Sequence, residues 1–425
     1  MTLPHQKTNS SHFPTILLVT TGYHLYREYL LKMVAEHSHI WLFVDSPPDW
    51  QIPYILGYTV VDTLDAQMMI DAARNLPENI KIDGVLCWDE IRMVQTAKLT
   101  QALSLPGTNP EYVARCRDKH LTRRFLTASR VPQPTSILVS SLDETTQAAE
   151  MIGYPVIIKP RALGASYGVS LVNGAEQVNT AFEHAKTATE EGVPVYDQRV
   201  LVEEYMQGPE VSIDIAWVNG VMYPMFVARK ITGFFPHFEE IGHIVHSHDP
   251  LLQDAQFICV LQQAHQAVGF LNGITHTELR LTQSGPKIIE INARLGGDMI
   301  PYVGWFASGI NPGQVAVAVA CGHKPNIEKT RKSVAAIRFL YPEYDSIVDS
   351  VQINHAELPG SVDVAASLVT PGQKLLLPPT DHVSCRYAYL IVHGDTAEDC
   401  TETTELAVQT FTLKTRDLST VGVLS

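Results

Sequence analysis

An anion, an amide and a cation occupy alternate positions in the segment IIEINARLGG, residues 288–297. Successive side chains of a β-strand face opposite sides, so this spacing predicts that Glu290, Asn292 and Arg294 lie in a row on one face. The residues of the opposite, apolar face would be Ile289, Ile291 and Ala293. The polar row is either a solvated strand edge or a surface that binds a ligand.

The upstream segment GITHTELRL is the predicted partner of this strand, joined to it by a turn of small residues and proline. If the turn centres on Ser284, Glu278 falls opposite Glu290 and His276 falls opposite Asn292. Directly opposed like charges are destabilising, and their Cβ atoms would be about 5 Å apart. A cation between them would turn repulsion into coordination, and carboxylate and amide oxygens suit Mg²⁺. The alternative is a half-solvated hairpin whose polar residues face water.

Two further segments could contribute to a nucleotide site, although the chain has no P-loop motif. In VIIKPRALGASYGV an apolar run ends at Lys159, and the loop that follows contains Gly164 and Gly168. Glycines let backbone N–H groups approach phosphate oxygens closely, and the lysine would add positive charge. In RVLVEEYMQGPEVSIDI, Glu203 and Glu204 end another apolar run, where a charged strand end is the ordinary alternative.

The composition is that of a folded protein with an acidic surface. The chain has 425 residues, enough for two or three domains, with 45% hydrophobic and 18% charged residues. A formal net charge of -14 argues against non-specific binding to nucleic acid or to an anionic membrane, but it does not exclude a local basic pocket.

The cysteines and the apolar runs indicate a soluble, cytoplasmic protein. The six cysteines are scattered without a C-x-x-C pair, which favours a reducing compartment. The opening MTLPHQKTNSSHFP has no apolar core and is not predicted to be a signal peptide. No apolar run approaches the ~20 residues that span a bilayer.

The sequence predicts that the helices and strands that position these residues form an α/β fold. ILLV and IWLFV are predicted strands on either side of a helix, which makes a parallel βα unit without a dinucleotide-binding glycine fingerprint. EYVARCRDKHLTRRFLTASR is predicted to be one helical segment, and a further helix is expected at about residues 253–270. From about residue 325 the chain becomes β-rich.

Six segments in one order carry a resemblance to a known superfamily. They are CRDKHLTRRFL, YPVIIKP, LGASYGVSLV, VEEYMQGPEVSIDI, THTELRL and IIEINARLGG. Together, over about residues 111–322, they resemble the ATP-grasp carboxylate–amine ligases, most of all the L-amino-acid ligase branch that makes dipeptides. The resemblance implies a Rossmann-like pre-ATP-grasp domain (1–110), an ATP-grasp domain (111–325) with a lid at about 135–205, and a C-terminal β-rich subdomain (326–425).

The same resemblance implies roles at matching positions. The residues expected to bind ATP are Lys119, Lys159, Gly164, Ser166, Gly168, Glu203, Glu204, Tyr205 and Glu210. Glu278, Glu290 and Asn292 would hold Mg²⁺, expected as two ions, with Mn²⁺ as a substitute. The segment FFPHFEEIGHIVHS resembles the substrate loop of that branch. The residues expected to meet substrate are Glu240, His243, Gly297 and the catalytic Arg294.

The implied reaction passes the γ-phosphoryl group of ATP to a carboxylate and then lets an amine attack the acyl phosphate, releasing ADP and phosphate. Both substrates would be small molecules, amino acids in the first instance, and a homodimer is compatible with this expectation. The alternatives are an ATP-grasp enzyme for another carboxylate, biotin-carboxylase-like chemistry, and nucleotide binding without catalysis. A zinc site at His243, His246 and His248 is a further alternative.

Overall fold

A computed structural model describes residues 13–164, 166–189 and 197–418. The prediction about the first twelve residues therefore lies outside the described part of the chain, as does Ala165 in the glycine-bearing loop. Among the described residues, no helix is long and apolar enough to cross a membrane. The mixture of helices with parallel and antiparallel sheets confirms the α/β fold class.

The N-terminal segment forms a parallel sheet with helices around it. Its elements are β1 (Thr15–Val19), α1 (His24–Ala35), β2 (His39–Val44), β3 (Gly57–Val60), α2 (Ala66–Arg74), β4 (Gly84–Leu86) and α3 (Met93–Ala102). The strand order is β3-β2-β1-β4, which confirms the parallel βα unit. The short run after β4 directs residues 88–90 toward the rest of the molecule, where they line a cavity with residues from distant parts of the chain.

A small antiparallel sheet follows. Its elements, with the helices before and between the strands, are α4 (Pro110–Arg117), α5 (Lys119–Ala128), β5 (Ser136–Val139), α6 (Leu142–Ile152), β6 (Val156–Pro160), β7 (Ser170–Val172), α7 (Val178–Thr187) and β8 (Val200–Glu204). The strand order is β5-β8-β6-β7. The single helical segment expected before it is wrong: the helix breaks at Asp118, whose extended backbone and carboxylate cap α5. The break places Lys119 at the first position of α5.

The main sheet contains the metal-binding candidates. Its first elements and the helices that pack on it are β9 (Glu210–Val218), β10 (Val221–Gly233), β11 (Glu239–His246), α8 (Ala255–Val268), β12 (Gly273–Thr282), β13 (Gly285–Asn292), α9 (Ile300–Ser308) and α10 (Pro312–Ala320). Buried side chains of alternate β9 residues pack with α8 on one face and with α9 and α10 on the other. Both faces of the sheet are therefore covered by helices.

The C-terminal segment extends this sheet. Its elements are β14 (Val334–Leu340), β15 (Ser346–Ile353), β16 (Val362–Ser367), β17 (Lys374–Leu375), β18 (Ala388–Gly394), α11 (Ala397–Val408) and β19 (Phe411–Asp417). The main sheet runs β13-β12-β9-β10-β11-β14-β18-β16, while β17-β15-β19 form a separate sheet. Three C-terminal strands thus continue the sheet that carries the site. The domain boundaries expected from the sequence remain predictions.

A bulge interrupts the hairpin of β12 and β13. Thr282 pairs with Gly285 and Leu279 with Ile288, but Glu278 pairs with Glu290, so Ile289 is an extra residue. The turn itself contains only residues 283 and 284. A bulge leaves backbone groups without ladder partners, and these groups need other hydrogen-bond partners when buried.

Arg123 of α5 supplies those partners and joins the two antiparallel sheets. Its guanidinium donates to the carbonyl oxygens of Ile288 (3.4 Å) and Ile289 (2.7 Å). The same group pairs with both carboxylate oxygens of Glu203 on β8, at 2.7 and 3.1 Å. The Lys159 ammonium on β6 lies 2.6 Å from the same carboxylate. The side chains of these three charged residues are at most 6% exposed.

The carboxylate of Glu203 is the shared anion of this cluster. Burial alone would raise the pKa of Glu203, but Arg123 and Lys159 lower it to about 2. Because the pKa in the folded state is below the ordinary value, the ionised group stabilises the fold at neutral pH. That stabilisation is present above about pH 4.5 and is lost as the pH falls toward 2.

We predict that Glu203→Gln lowers the free energy of unfolding on the order of 3 kcal/mol at pH 7, because it leaves buried cations without their anion. The loss should shrink when urea unfolding is repeated at pH 3.5, where the carboxyl is already protonated in the unfolded chain but is still ionised in the fold. Glu204→Gln is the matched control, since the neighbouring Glu204 pairs with Lys287 in a half-exposed position worth about 0–1 kcal/mol. Equal effects of the two substitutions would contradict the prediction.

Candidate active site

The facing carboxylates expected from the sequence are present. Glu278 pairs with Glu290 and His276 with Asn292, which confirms the predicted register. The turn was expected to centre on Ser284, but its centre lies between residues 283 and 284. The extra residue at Ile289 compensates for this difference, so that Glu278 still pairs with Glu290. The bulge also changes the expected alternation: Ile288 and Ile291 pack in the core, whereas Ile289 lines a polar pocket.

Buried lysines neutralise the two carboxylates. The ammonium of Lys230, on β10, lies 2.9 Å from Glu278, 2.6 Å from Glu240 and 3.1 Å from Glu210. The ammonium of Lys119 lies 2.9 Å from Glu290 and donates to the carbonyl of Leu163 at 2.7 Å. Like charges that face each other within the fold are therefore balanced by cations from other elements.

The sequence reading missed Lys230. Its side chain is 1% exposed and stands at the polar end of the apolar run VMYPMFVARK. A buried charge is unfavourable unless an opposite charge lies beside it. Several acidic residues that are predicted to lie around one point therefore indicate that a cation such as a lysine lies among them. The pKa of Lys230 is raised well above its usual range, because the three carboxylates outweigh the effect of burial.

The environment separates the carboxylates into ionised and protonation-prone groups. Burial opposes ionisation of Glu278, but Lys230 and His276 hold its pKa well below the usual range. Burial likewise opposes ionisation of Glu290, and Lys119 lowers its pKa. For Glu240, burial prevails and raises the pKa. Glu278 and Glu290 are thus the members of this group whose lowered pKa keeps them ionised at neutral pH, as binding a cation requires.

Two polar residues complete this end of the hairpin. The amide nitrogen of Asn292 donates to Glu290 at 2.8 Å, which orients its oxygen away from that carboxylate. The Nδ1 atom of His276 lies 2.7 Å from Asp214, and its Nε2 atom lies 3.4 Å from Glu278. Burial would lower the pKa of His276, but these carboxylates raise it to about 9.

A small cavity of about 130 Å³ brings most of the expected nucleotide and metal residues together. The predicted residues that line it are Lys119, Lys159, Gly164, Ser166, Glu203, Glu204, Tyr205, Glu210, Glu240, Glu278 and Glu290. They come from the small antiparallel sheet, its connecting loop, α5 and the main sheet. We call this cavity the nucleotide pocket.

Two of the expected nucleotide residues are placed differently from the prediction. Gly168 is not among the residues that line the pocket. It has a φ of +72°, and a Cβ atom there would lie 2.7 Å from the Pro160 ring, so its role is to let the loop fold back on β6. Glu203 has both carboxylate oxygens bound to Arg123 and Lys159, which leaves its backbone rather than its side chain for an adenine edge.

A larger cavity of about 560 Å³ contains the predicted catalytic arginine and Gly297. We call it the substrate cavity. The Nε atom of Arg294 lies 2.6 Å from Glu90, in the short 3₁₀ turn after β4, and an Nη atom donates to the carbonyl of Leu295 at 2.9 Å. Burial would lower the pKa of Arg294, but Glu90 and Glu290 raise it. Glu90 was not predicted from the sequence, since it lies about 200 positions before Arg294.

A buried ion network forms one end of this cavity. The Nε2 atom of His243 lies 3.3 Å from Glu240 and 3.4 Å from Asp298. Asp298 also pairs with Arg386, whose two Nη atoms lie 2.7 and 3.0 Å from its carboxylate. Arg386 in turn lies 3.1 Å from Glu239. Glu240 lines the nucleotide pocket and Asp298 lines the substrate cavity, and His243 contacts both of them. Glu240 and His243 therefore connect the two cavities.

The surroundings of His243 correct two expectations. The segment expected to be a substrate loop is strand β11 from Glu239 to His246, because it pairs with both β10 and β14. Among the described residues, two groups could hold a metal ion: His243 with Glu240 and Asp298, and Glu210 with Glu240 and Glu278. Neither group contains His246 or His248. His246 is three positions after His243 on β11 and so faces the other side of the strand, and His248 lies beyond the end of the strand.

Comparisons with known proteins place the chain in context. The ATP-grasp domain family matches residues 152–302. An uncharacterized protein of Sinorhizobium fredii is 27% identical over 74% of this chain and 65% of its own length. Carnosine synthase 1 of Homo sapiens is 27% identical over 62% of this chain and 33% of its own length.

A solved structure extends the likeness to the whole fold. The L-amino acid ligase of Bacillus licheniformis superposes with a TM-score of 0.79 at 20% identity, covering 96% of this chain and 100% of that one. The matched region spans only a third to two thirds of the two sequence relatives, so the likeness supports the fold and the domain. Residues 152–302 therefore match the ATP-grasp domain family, and the fold of the whole chain is similar to that of this ligase.

Proposed function

We propose that this protein is an ATP-dependent ligase that joins the carboxylate of one amino acid to the amine of another. The observation that carries the proposal is that residues at and just after the end of β13 line two different cavities. Glu290 lines the nucleotide pocket, and Arg294, four residues later, lines the substrate cavity. A phosphate donor and a carboxylate bound in these two cavities would meet at one strand end.

The side chains present fit a nucleotide with Mg²⁺. Glu278, Glu290 and the oxygen of Asn292 are hard oxygen ligands, which Mg²⁺ prefers, and lysines and loop amides suit phosphate oxygens. When bound, ATP and Mg²⁺ would supply the phosphoryl group that activates the carboxylate and the charge that stabilises its transfer. The number of ions and the use of Mn²⁺ are part of the proposal.

The lysines would change partners when substrate binds. In the structure Lys119 and Lys230 neutralise the candidate metal ligands. Phosphate oxygens would compete for these ammonium groups while the metal ion took the carboxylates, so that each charge keeps a counter-charge. A cavity of about 130 Å³ is smaller than a typical ligand pocket of roughly 300–1,000 Å³, so the glycine-bearing loop and the lysines must move to admit a nucleotide.

Arg294 would act on the carboxylate. Its planar guanidinium can bind two oxygens at once and stabilise the oxyanion that forms when an amine attacks the activated carbon. In that step the C–N bond forms, the bond from carbon to the phosphate oxygen breaks, and the nitrogen loses a proton. Glu90 fixes the orientation of Arg294 through its contact at 2.6 Å.

Water must be excluded, because an acyl phosphate hydrolyses readily. The glycine-bearing loop closes the nucleotide pocket through two contacts: the Ser166 hydroxyl donates to the Phe238 carbonyl at 3.3 Å, and the Tyr167 hydroxyl donates to Asp381 at 3.1 Å. These contacts support a lid role for the loop.

Amino acids are proposed as the substrates on two grounds. The names of the similar carnosine synthase and of the L-amino acid ligase support an enzyme that joins amino acids. The substrate cavity offers both cations and anions, as a zwitterion requires. A screen of ADP release over amino acids, other small acids and bicarbonate, with mass detection of the product, tests the proposal. Amide products would support it, and release only with bicarbonate or other acids would overturn it.

We predict that Glu290→Gln raises the Mg²⁺ concentration for half-maximal ADP release about 10-fold or more, because a carboxylate ligand is lost. Glu183→Gln, an exposed position on α7, is the control for a simple change of charge. An unchanged Mg²⁺ requirement in the Glu290 variant would count against the metal assignment.

We predict that Arg294→Ala lowers amide formation at least about 100-fold, since removal of one donor to an oxyanion costs 10²–10³ in rate. ATP affinity, measured by titration calorimetry, should stay within about 2-fold. Arg74→Ala, at an exposed position of α2, is the matched control. Normal turnover of the Arg294 variant would contradict the assignment.

A further inference from the structure

Three arginines line the substrate cavity, and two of them have carboxylate partners. Arg294 pairs with Glu90, and Arg386 pairs with Asp298. In each case burial would lower the pKa of the arginine, and the neighbouring carboxylates raise it instead. These two cations are balanced before any substrate arrives.

Arg27 on α1 is different. One of its Nη atoms donates to the backbone carbonyl of Gly296 at 3.3 Å, and among the described residues no carboxylate lies within ion-pair distance of its guanidinium. Burial lowers the pKa of Arg27, with the charge of Arg294 adding to the effect and Tyr29, Asp298 and Asp89 opposing it. A partly buried guanidinium without an anion beside it is less favourable than a paired one, so a bound anion would stabilise it.

The acidic residues of the cavity are engaged elsewhere. Glu90 is held by Arg294 and Asp298 by Arg386, while Asp89 pairs with Arg92 at 2.8 Å. Within the described part of the chain, Arg27 is therefore the arginine of this cavity without a carboxylate at ion-pair distance. Glu28, the acidic residue of α1, lies 3.2 Å from His24 and accepts a hydrogen bond from the Tyr54 hydroxyl at 2.9 Å, so neither of these partners of its carboxylate is Arg27.

We infer that Arg27 binds the carboxylate of the attacking amino acid and so selects that substrate over a simple amine. This inference rests on the proposed ligase function and assigns the residue that recognises the second substrate. Arg294 would hold the reacting carboxylate and Arg27 the non-reacting one. The Arg27 contact with Gly296 ties α1 to the loop that follows Arg294, which keeps the two anion sites at a fixed separation.

The sharpest test is a competition within one reaction. The enzyme is given ATP, Mg²⁺ and an equimolar mixture of an L-amino acid and its carboxamide, repeated over the common amino acids whose side chains carry no carboxylate. The carboxamide can act only as the amine, and mass detection distinguishes dipeptide from dipeptide amide. Wild type should favour the dipeptide at least about 10-fold, because only the free amino acid offers a carboxylate to Arg27.

Arg27→Gln should shift this product ratio about 10-fold or more toward the dipeptide amide, and Arg27→Lys should lie between, since lysine keeps the charge but not the planar fork. The ratio does not depend on how much of a variant folds. Arg74→Gln is the surface control and should match wild type. A wild type that uses both amines equally, or an Arg27→Gln ratio equal to that of wild type, overturns the inference. If wild type forms no amide with any mixture, the proposed function itself has failed.

Discussion

Two partly buried carboxylates that face each other, Glu278 on β12 and Glu290 on β13, set the constraint that the rest of the site satisfies. Their repulsion has to be balanced by positive charge within hydrogen-bond distance. Lys230 and Lys119 supply that charge, and each comes from a different element of the chain. The elements that surround the hairpin therefore also position lysine side chains beside its carboxylates.

A series of ion pairs links the nucleotide pocket to the substrate cavity. Lys230 joins Glu278 to Glu240, Glu240 contacts His243, and His243 contacts Asp298 at the substrate cavity. A ligand that alters the charge at either end must change the balance along this series of contacts. Under the proposed function, such coupling would favour joint binding of nucleotide and amino acid, since each brings charges that the other site lacks.

The parts of the site that the sequence predicts are those set by local spacing. Alternation along β13 and the pairing with β12 brought Glu278, Glu290 and Asn292 together, although the bulge at Ile289 was not visible. The missed residues, Lys230 and Glu90, contact the site from distant elements, and single-sequence periodicity carries no information on such contacts. The alternative of a zinc site at the three histidines fails for the opposite reason: residues close in the chain are separated by the alternation of a strand, since His243 and His246 face different sides of β11.

The bulge at Ile289 has a consequence for the length of the hairpin. Arg123 fixes the chain at residues 288 and 289 through their carbonyl oxygens, on the site side of the two-residue turn. The pairing of Glu278 with Glu290 is therefore anchored independently of what lies at the tip. The hairpin tip is accordingly a place where related chains can differ in length, and where a peptide tag or a fluorescent label could be inserted, without moving the acidic pair.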